Sequence, residues 1–360
     1  MDPLKSSADQ WSYHLRCAST YIFYEGHRPS GRLSRMTAAA IFSFMRPGKL
    51  LVAITRDSMC TLYPPNLEAD TIGHSIDSPG EFTAAAAGKG ELFITRGLGA
   101  AMFKLRNLRS PHKTYDGVHA NSVLAVDVHG DLVATAGADM SIGIWRHDGS
   151  AMVIDNAHSD WIRFLFFVSA PKTGNLLLLS CGDDGMVQLW DAHTCDHFGG
   201  ERLTQCVRSA TVCRMSKHLA VGCDDCRIVL IRVEDQGLGL QAPIVTLPAV
   251  STALDFSSDG SIIVAAGEDE IVRLVRLGCN TVLAQCSAHF TRRLCVSFMT
   301  TISTVRVLLS PPDSDAYVVI SAASDGNVVL WSYLPVEERS GTIKSNLGIG
   351  PLVATCEVSQ

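Results

Sequence analysis

The chain has 360 residues, 47% hydrophobic and 18% charged, with a formal net charge of −6. That supplies a core for one large domain or two small ones. It excludes a general polyanion binder, because neutralising phosphates needs a concentrated basic face. The start, MDPLKSSADQ, has no apolar segment of the kind an export signal carries. Apolar runs such as LLLLS and FLFFV fall short of the roughly 18 residues that a bilayer span needs. The twelve cysteines are scattered through strand-like runs and are expected to be reduced and buried, in an intracellular soluble protein.

In chain order, the first 35 residues contain SYHLRCASTYIFYEG, which is expected to supply a closing strand. Ala38–Ala40 and Ala84–Ala87 look helical by propensity. Both fall where a crowded inner strand is due, so both are predicted strands. Between and after them, one pattern recurs: small residues, an acidic turn, then β-branched alternation ending in a large apolar residue. LVATAGADMSIGIW, LLLSCGDDGMVQLW and VVISAASDGNVVLW place Asp139, Asp184 and Asp325 six residues before Trp145, Trp190 and Trp331. The same gap finds weaker copies, Asp57 to Tyr63, Gly97 to Phe103, Asp225 to Ile231 and Asp269 to Val275. The seven anchors are spaced by 40, 42, 45, 41, 44 and 56 residues. A period near 40–45 with strand–turn–strand chemistry predicts an array of four-stranded blades. The expected fold is therefore all-β, a single seven-bladed β-propeller over residues 36–335. A segment of residues 1–35 precedes it and a tail of residues 336–360 follows it. The long last step predicts an insertion around TTISTVRVLLSPPDSD. Either the N-terminal stretch or PLVATCEV in the tail completes the last blade. The N-terminal one is favoured, since closure removes free sheet edges.

The repeats resemble the WD-repeat family, and three carry its full polar set. These are His119, Thr135, Asp139 and Trp145; His158, Ser180, Asp184 and Trp190; and His289, Ser321, Asp325 and Trp331. The resemblance implies that the turn Asp accepts from the His, which contacts the Ser or Thr, which reaches the Trp indole. Such pairing is needed because unpaired polar groups are costly inside a sheet. The other four repeats lack the His and the Trp and are expected to hold by packing.

Cys223 and Cys226 in AVGCDDCRIVLI have zinc or dithiol spacing, but structural zinc needs four ligands and no second Cys-x-x-Cys exists. HTCDH, His193 to His197, is the nearest candidate for a second half. Against the sister repeats the pair is a turn, with Cys226 in the place of Gly185. No G-x-S-x-G, phosphate loop or H-E-x-x-H is present, so no enzyme, cofactor, metal or small-molecule substrate is expected.

The residues before the anchors form a candidate partner-binding rim. They are Arg56, Arg96, Ala138, Asp183, Asp224, Glu268 and Ser324, basic in the first two repeats and acidic in the fourth to sixth. An acidic arc would steer a basic partner. EGHRPSGRLSR, Glu25 to Arg35, is a second candidate, for a peripheral contact with RNA or an acidic peptide.

The opening WSYHLRCASTYIFYEG and the third repeat resemble the first propeller of the transducin-beta-like small-subunit processome component, most closely over residues 119–190. The last two repeats resemble the kinase-interacting WD-repeat family of large-subunit assembly. These likenesses imply a non-catalytic scaffold in a nucleolar ribosomal-RNA processing or ribosome-assembly complex, with other proteins as partners. The alternative is an adaptor or substrate receptor in a signalling, ubiquitin-ligase or methyltransferase complex.

Overall fold

The computed structural model describes residues 16–22, 51–54, 59–63, 74–77, 82–87, 91–104, 110–146, 148–287, 302–309, 317–323 and 327–333. These residues form strands and turns, with no helix among them, so none is present to cross a membrane. The strands fall into seven antiparallel sheets, numbered here in chain order. Sheet one is Leu51–Ile54, Met59–Tyr63 and His74–Asp77. Sheet two is Phe82–Ala87, Glu91–Arg96, Gly99–Lys104 and Lys113–Tyr115. Sheet three is Val123–His129, Leu132–Gly137, Ile142–Trp145 and Ala151–Ile154. Sheet four is Ile162–Ser169, Leu176–Gly182, Met186–Asp191 and His197–Arg202. Sheet five is Val207–Cys213, His218–Cys223, Arg227–Glu234 and Gly237–Thr246. Sheet six is Ser251–Phe256, Ile262–Gly267, Ile271–Arg276 and Thr281–Ser287. Sheet seven is Ile302–Leu309, Tyr317–Ala323 and Asn327–Tyr333, with Arg16–Ile22 from the chain start added beside the last.

Each of sheets one to six is a meander of consecutive strands, which short polar turns make cheap to form. The first strands of sheets two to seven pack on one another in succession, so sheets stack face to face as in a propeller. The second strands lie between two neighbours. Leu132–Gly137 and Ile262–Gly267 are buried along their whole length. This explains their unbroken apolar sequences, since a strand covered on both faces needs no polar alternation. The core is correspondingly divided between sheets. Ile142 and Ile144 of sheet three meet Ile162 and Phe167 of sheet four. Leu177, Leu179 and Cys181 of sheet four meet Val221, Cys223 and Ile231 of sheet five. Each such fully buried Ile, Leu or Phe contributes about 1.5–3 kcal/mol.

Two local devices aim side chains at the end of the sheets where the second and third strands turn. The pairing of first and second strands skips one residue near the start, at Arg163 in sheet four, Arg208 in sheet five and Thr252 in sheet six. Such a bulge re-aims the side chain it frees. The turns themselves carry a left-handed residue at the same place, Met140 (φ 62°), Gly185 (φ 72°), Cys226 (φ 64°) and Glu270 (φ 64°).

The Ala84–Ala87 expectation lies within the strand Phe82–Ala87. Ala38–Ala40, Glu25–Arg35 and the tail of residues 336–360 lie outside the described residues. One expectation is corrected. TTISTVRVLLSPPDSD is not an insertion, because it holds Ile302–Leu309, the first strand of sheet seven. Its β-branched alternation is strand chemistry.

Candidate functional site

In sheets three and four the turn Asp, the His before the first strand, the hydroxyl on the second strand and the Trp on the third come together. His158 Nδ1 lies 3.0 Å from Asp184 Oδ1, and its Nε2 lies 2.8 Å from Ser180 Oγ. Trp190 Nε1 donates to Ser180 Oγ at 3.0 Å. With Nδ1 donating to the carboxylate, Nε2 accepts the Ser180 hydroxyl proton, and every polar group is satisfied. His119 repeats this with Asp139 Oδ2 at 3.0 Å and Thr135 Oγ1 at 2.8 Å, and Trp145 Nε1 donates to Thr135 Oγ1 at 3.0 Å. Both His residues, both hydroxyl residues and both Trp residues are buried. Burial alone would raise the Asp184 carboxyl, but bonds from His158 and the Ser159 and Met186 N–H groups outweigh it and bring it to about 2. Asp139 is lowered likewise, against burial, by His119 and by bonds from Ala120 and Ser141. In sheet seven Ser321 is buried and Trp331 pairs with Val319. His289 and Asp325 lie outside the described residues.

The rim is built by a second repeated bond. The residue before the turn anchor donates its N–H to the carbonyl just before the first strand. The pairs are Ala138 to Ser122, Asp183 to Trp161, Asp224 to Cys206 and Glu268 to Val250. The acidic side chains are thereby brought beside the bulge residues. Arg163 Nε and Nη2 both donate to Asp183 Oδ2, at 2.9 and 2.7 Å. Arg208 pairs with Asp224. The bond from Asp224, helped by the nearby charge of Asp183, outweighs burial and raises the Arg208 guanidinium above its ordinary value. The sequence placed carboxylates on this arc but missed their arginines, which stand 16 and 20 residues away in sequence. Glu268 is exposed, and Arg96 ends its strand partly buried. Arg56 and Ser324 lie outside the described residues. Trp161, 44% exposed, lies under Arg163, whose guanidinium carbon is 4.9 Å from the ring centre.

The family model for the WD domain, G-beta repeat, matches residues 109–146, 151–191 and 243–275. Those three segments match WD40 repeats. The fold is accordingly a WD-repeat propeller, an architecture whose members are generally non-catalytic scaffolds for protein–protein interaction. No curated protein matches the chain. The second matched WD40 repeat runs from the outer strand of sheet three through the third strand of sheet four, so each repeat straddles two sheets and ties them covalently. The third match falls on the repeat ending at Val275, which has neither the His nor the Trp.

That WD40 repeat and its predecessor are not held by packing alone. In sheet five Thr204 Oγ1 donates to Asp225 Oδ2 at 3.2 Å, where sheets three and four use His, and Arg227 Nε donates to the same carboxylate at 2.8 Å. In sheet six the buried Arg273 reaches back to Asp269 in the turn before its strand. An Arg two or four residues after the anchor was the sequence signal for this substitution. The Cys223–Cys226 turn has its left-handed residue at the same place as the neighbouring turns. Burial, with the charge of Asp225, pushes the Cys223 thiol up to about 11. A thiol held protonated is a poor nucleophile and a poor metal ligand. His197 Nε2 lies 2.7 Å from Gln188 Oε1, and its ring packs on Trp190. Among the described residues no group of three or more His, Cys, Asp or Glu is placed to hold a metal ion.

Proposed function

We propose that this chain is a non-catalytic scaffold in a multi-protein complex, a seven-bladed ring closed by Arg16–Ile22. The observation that carries the reading is the use of its reactive side chains. His119, Asp139, His158 and Asp184 are all engaged within their own WD40 repeats, which leaves the rim as the surface that meets other proteins. Purification of the tagged chain from its own cells, with mass spectrometry, is expected to recover the same set of proteins reproducibly. Recovery of none, or hydrolysis of generic esters or nucleotides by the pure chain, overturns the reading.

The narrower reading is a subunit of a ribosome-assembly complex in the nucleolus, with RNA touched only peripherally. It is drawn from the resemblance read in the sequence of residues 119–190 and of the last two repeats. A fluorescently tagged copy concentrates in the nucleolus on this reading, and exclusion from it removes the reading while leaving the scaffold.

A further inference from the structure

We infer that the rim of sheets four to six takes an arginine-bearing segment of a partner protein, and that Arg163 occupies the place of that arginine in the free chain. The inference rests on the scaffold reading and names its partner chemistry. Arg163 is held as a guest guanidinium would be: stacked over an indole and forked onto one carboxylate oxygen. Both fork bonds go to Asp183 Oδ2, and Asp183 Oδ1 is buried with no hydrogen-bond partner. A buried acceptor without a donor is costly, so a guanidinium that replaces Arg163 and forks onto both oxygens is held better than Arg163 itself. Trp161 nevertheless leaves 44% of its surface open. An exposed Trp beside charged groups is the kind of anchor that dominates interfaces.

Charge selects the occupant. Asp183 and Asp224 are balanced by Arg163 and Arg208. Asp160 and Glu268 are exposed on the same arc and enter none of the ion pairs among the described residues. The surplus is negative, so a cationic segment fits and an acidic one does not. A planar guanidinium suits it better than an ammonium, because it stacks and donates two parallel N–H groups at once.

The test uses the full chain and a fluorescently labelled peptide of alternating Ala and Arg, with an Ala–Glu peptide as control, read by anisotropy at about 0.15 M salt. The wild-type chain is expected to bind the Arg peptide and not the Glu peptide. Arg163→Ala vacates the site and tightens binding by about fivefold or more. Arg208→Ala removes the same charge away from Trp161 and changes binding by less than about twofold. Trp161→Ala abolishes both the binding and the Arg163→Ala gain, whereas Trp161→Phe keeps most of each. Equal effects of Arg163→Ala and Arg208→Ala would show a diffuse charge effect and overturn the inference. So would wild-type affinity in a folded Trp161→Ala chain, or binding of neither peptide by the wild type and Arg163→Ala. If tagged wild type and Trp161→Ala recover the same partners from cells, the scaffold reading stands and this inference falls.

Discussion

At Cys226 the backbone is left-handed, φ 64°, where the fourth sheet has Gly185 at 72°. A side chain in that region costs about 1–2 kcal/mol that glycine does not incur. Cys226→Gly is therefore expected to stabilise the chain by up to about 1 kcal/mol, read as a higher urea midpoint at unchanged slope. A metal or dithiol role predicts the opposite sign. Asp184 gives the complementary case. Its folded carboxyl is near 2 against an ordinary 3.8, so the unfolded chain takes up the proton first. The stability it contributes is full above about pH 4 and is lost as the pH falls toward 2. Asp184→Asn should lower stability by about 1–3 kcal/mol at neutral pH and flatten the acid limb of the stability profile. The His, Ser/Thr, Asp and Trp were legible because four residue types recur at matching offsets. Arg163 and Arg208 were not. Their partners come from the turn after the next strand, and a bulge that no residue type announces turns them toward the rim.

At the scale of one sheet, the unequal repeats use different means to the same end. Sheet six joins Arg273 to Asp269 with the Arg side chain only 5% exposed; sheet five joins Arg227 to Asp225 with the Arg 34% exposed. Coulomb attraction is similar in the two, but desolvation is not. Arg273→Ala strands a partly buried carboxylate and is expected to destabilise by about 3–5 kcal/mol. Arg227→Ala should cost far less, because water screens its pair. Chemical denaturation of the two variants side by side checks this, and equal losses would refute it. The period and the turn anchors revealed these sheets even where the signature residues are gone. What they did not reveal was where sheet seven begins. Counting between anchors treated Ile302–Leu309 as surplus, although its own alternation is that of a strand.

Across the molecule, neighbouring sheets are joined by more than apolar contact. Asp127 of sheet three accepts the N–H of Phe167 in sheet four at 2.7 Å. It also accepts Nη2 of Arg214, just past the first strand of sheet five, at 3.0 Å, while Arg214 Nε donates to the Phe167 carbonyl at 3.2 Å. One carboxylate thus fastens three consecutive sheets. Asp127→Ala leaves the Phe167 amide without a partner and should cost about 1–3 kcal/mol. Arg214→Ala, whose side chain is 54% exposed, should cost less than about 1 kcal/mol. Hydrogen exchange at Phe167 reads the difference directly. The pairing of Arg16–Ile22 with Asn327–Tyr333 works on a different axis, that of time. Among the described strands, the first to leave the ribosome finds its neighbour only when the last has been made. Until then Arg16–Ile22 presents a bare hydrogen-bonding edge, open to pairing with another chain. A nascent chain stalled before residue 327 is thus marked as unfinished by its own beginning, and synthesis to that point is what conceals the mark.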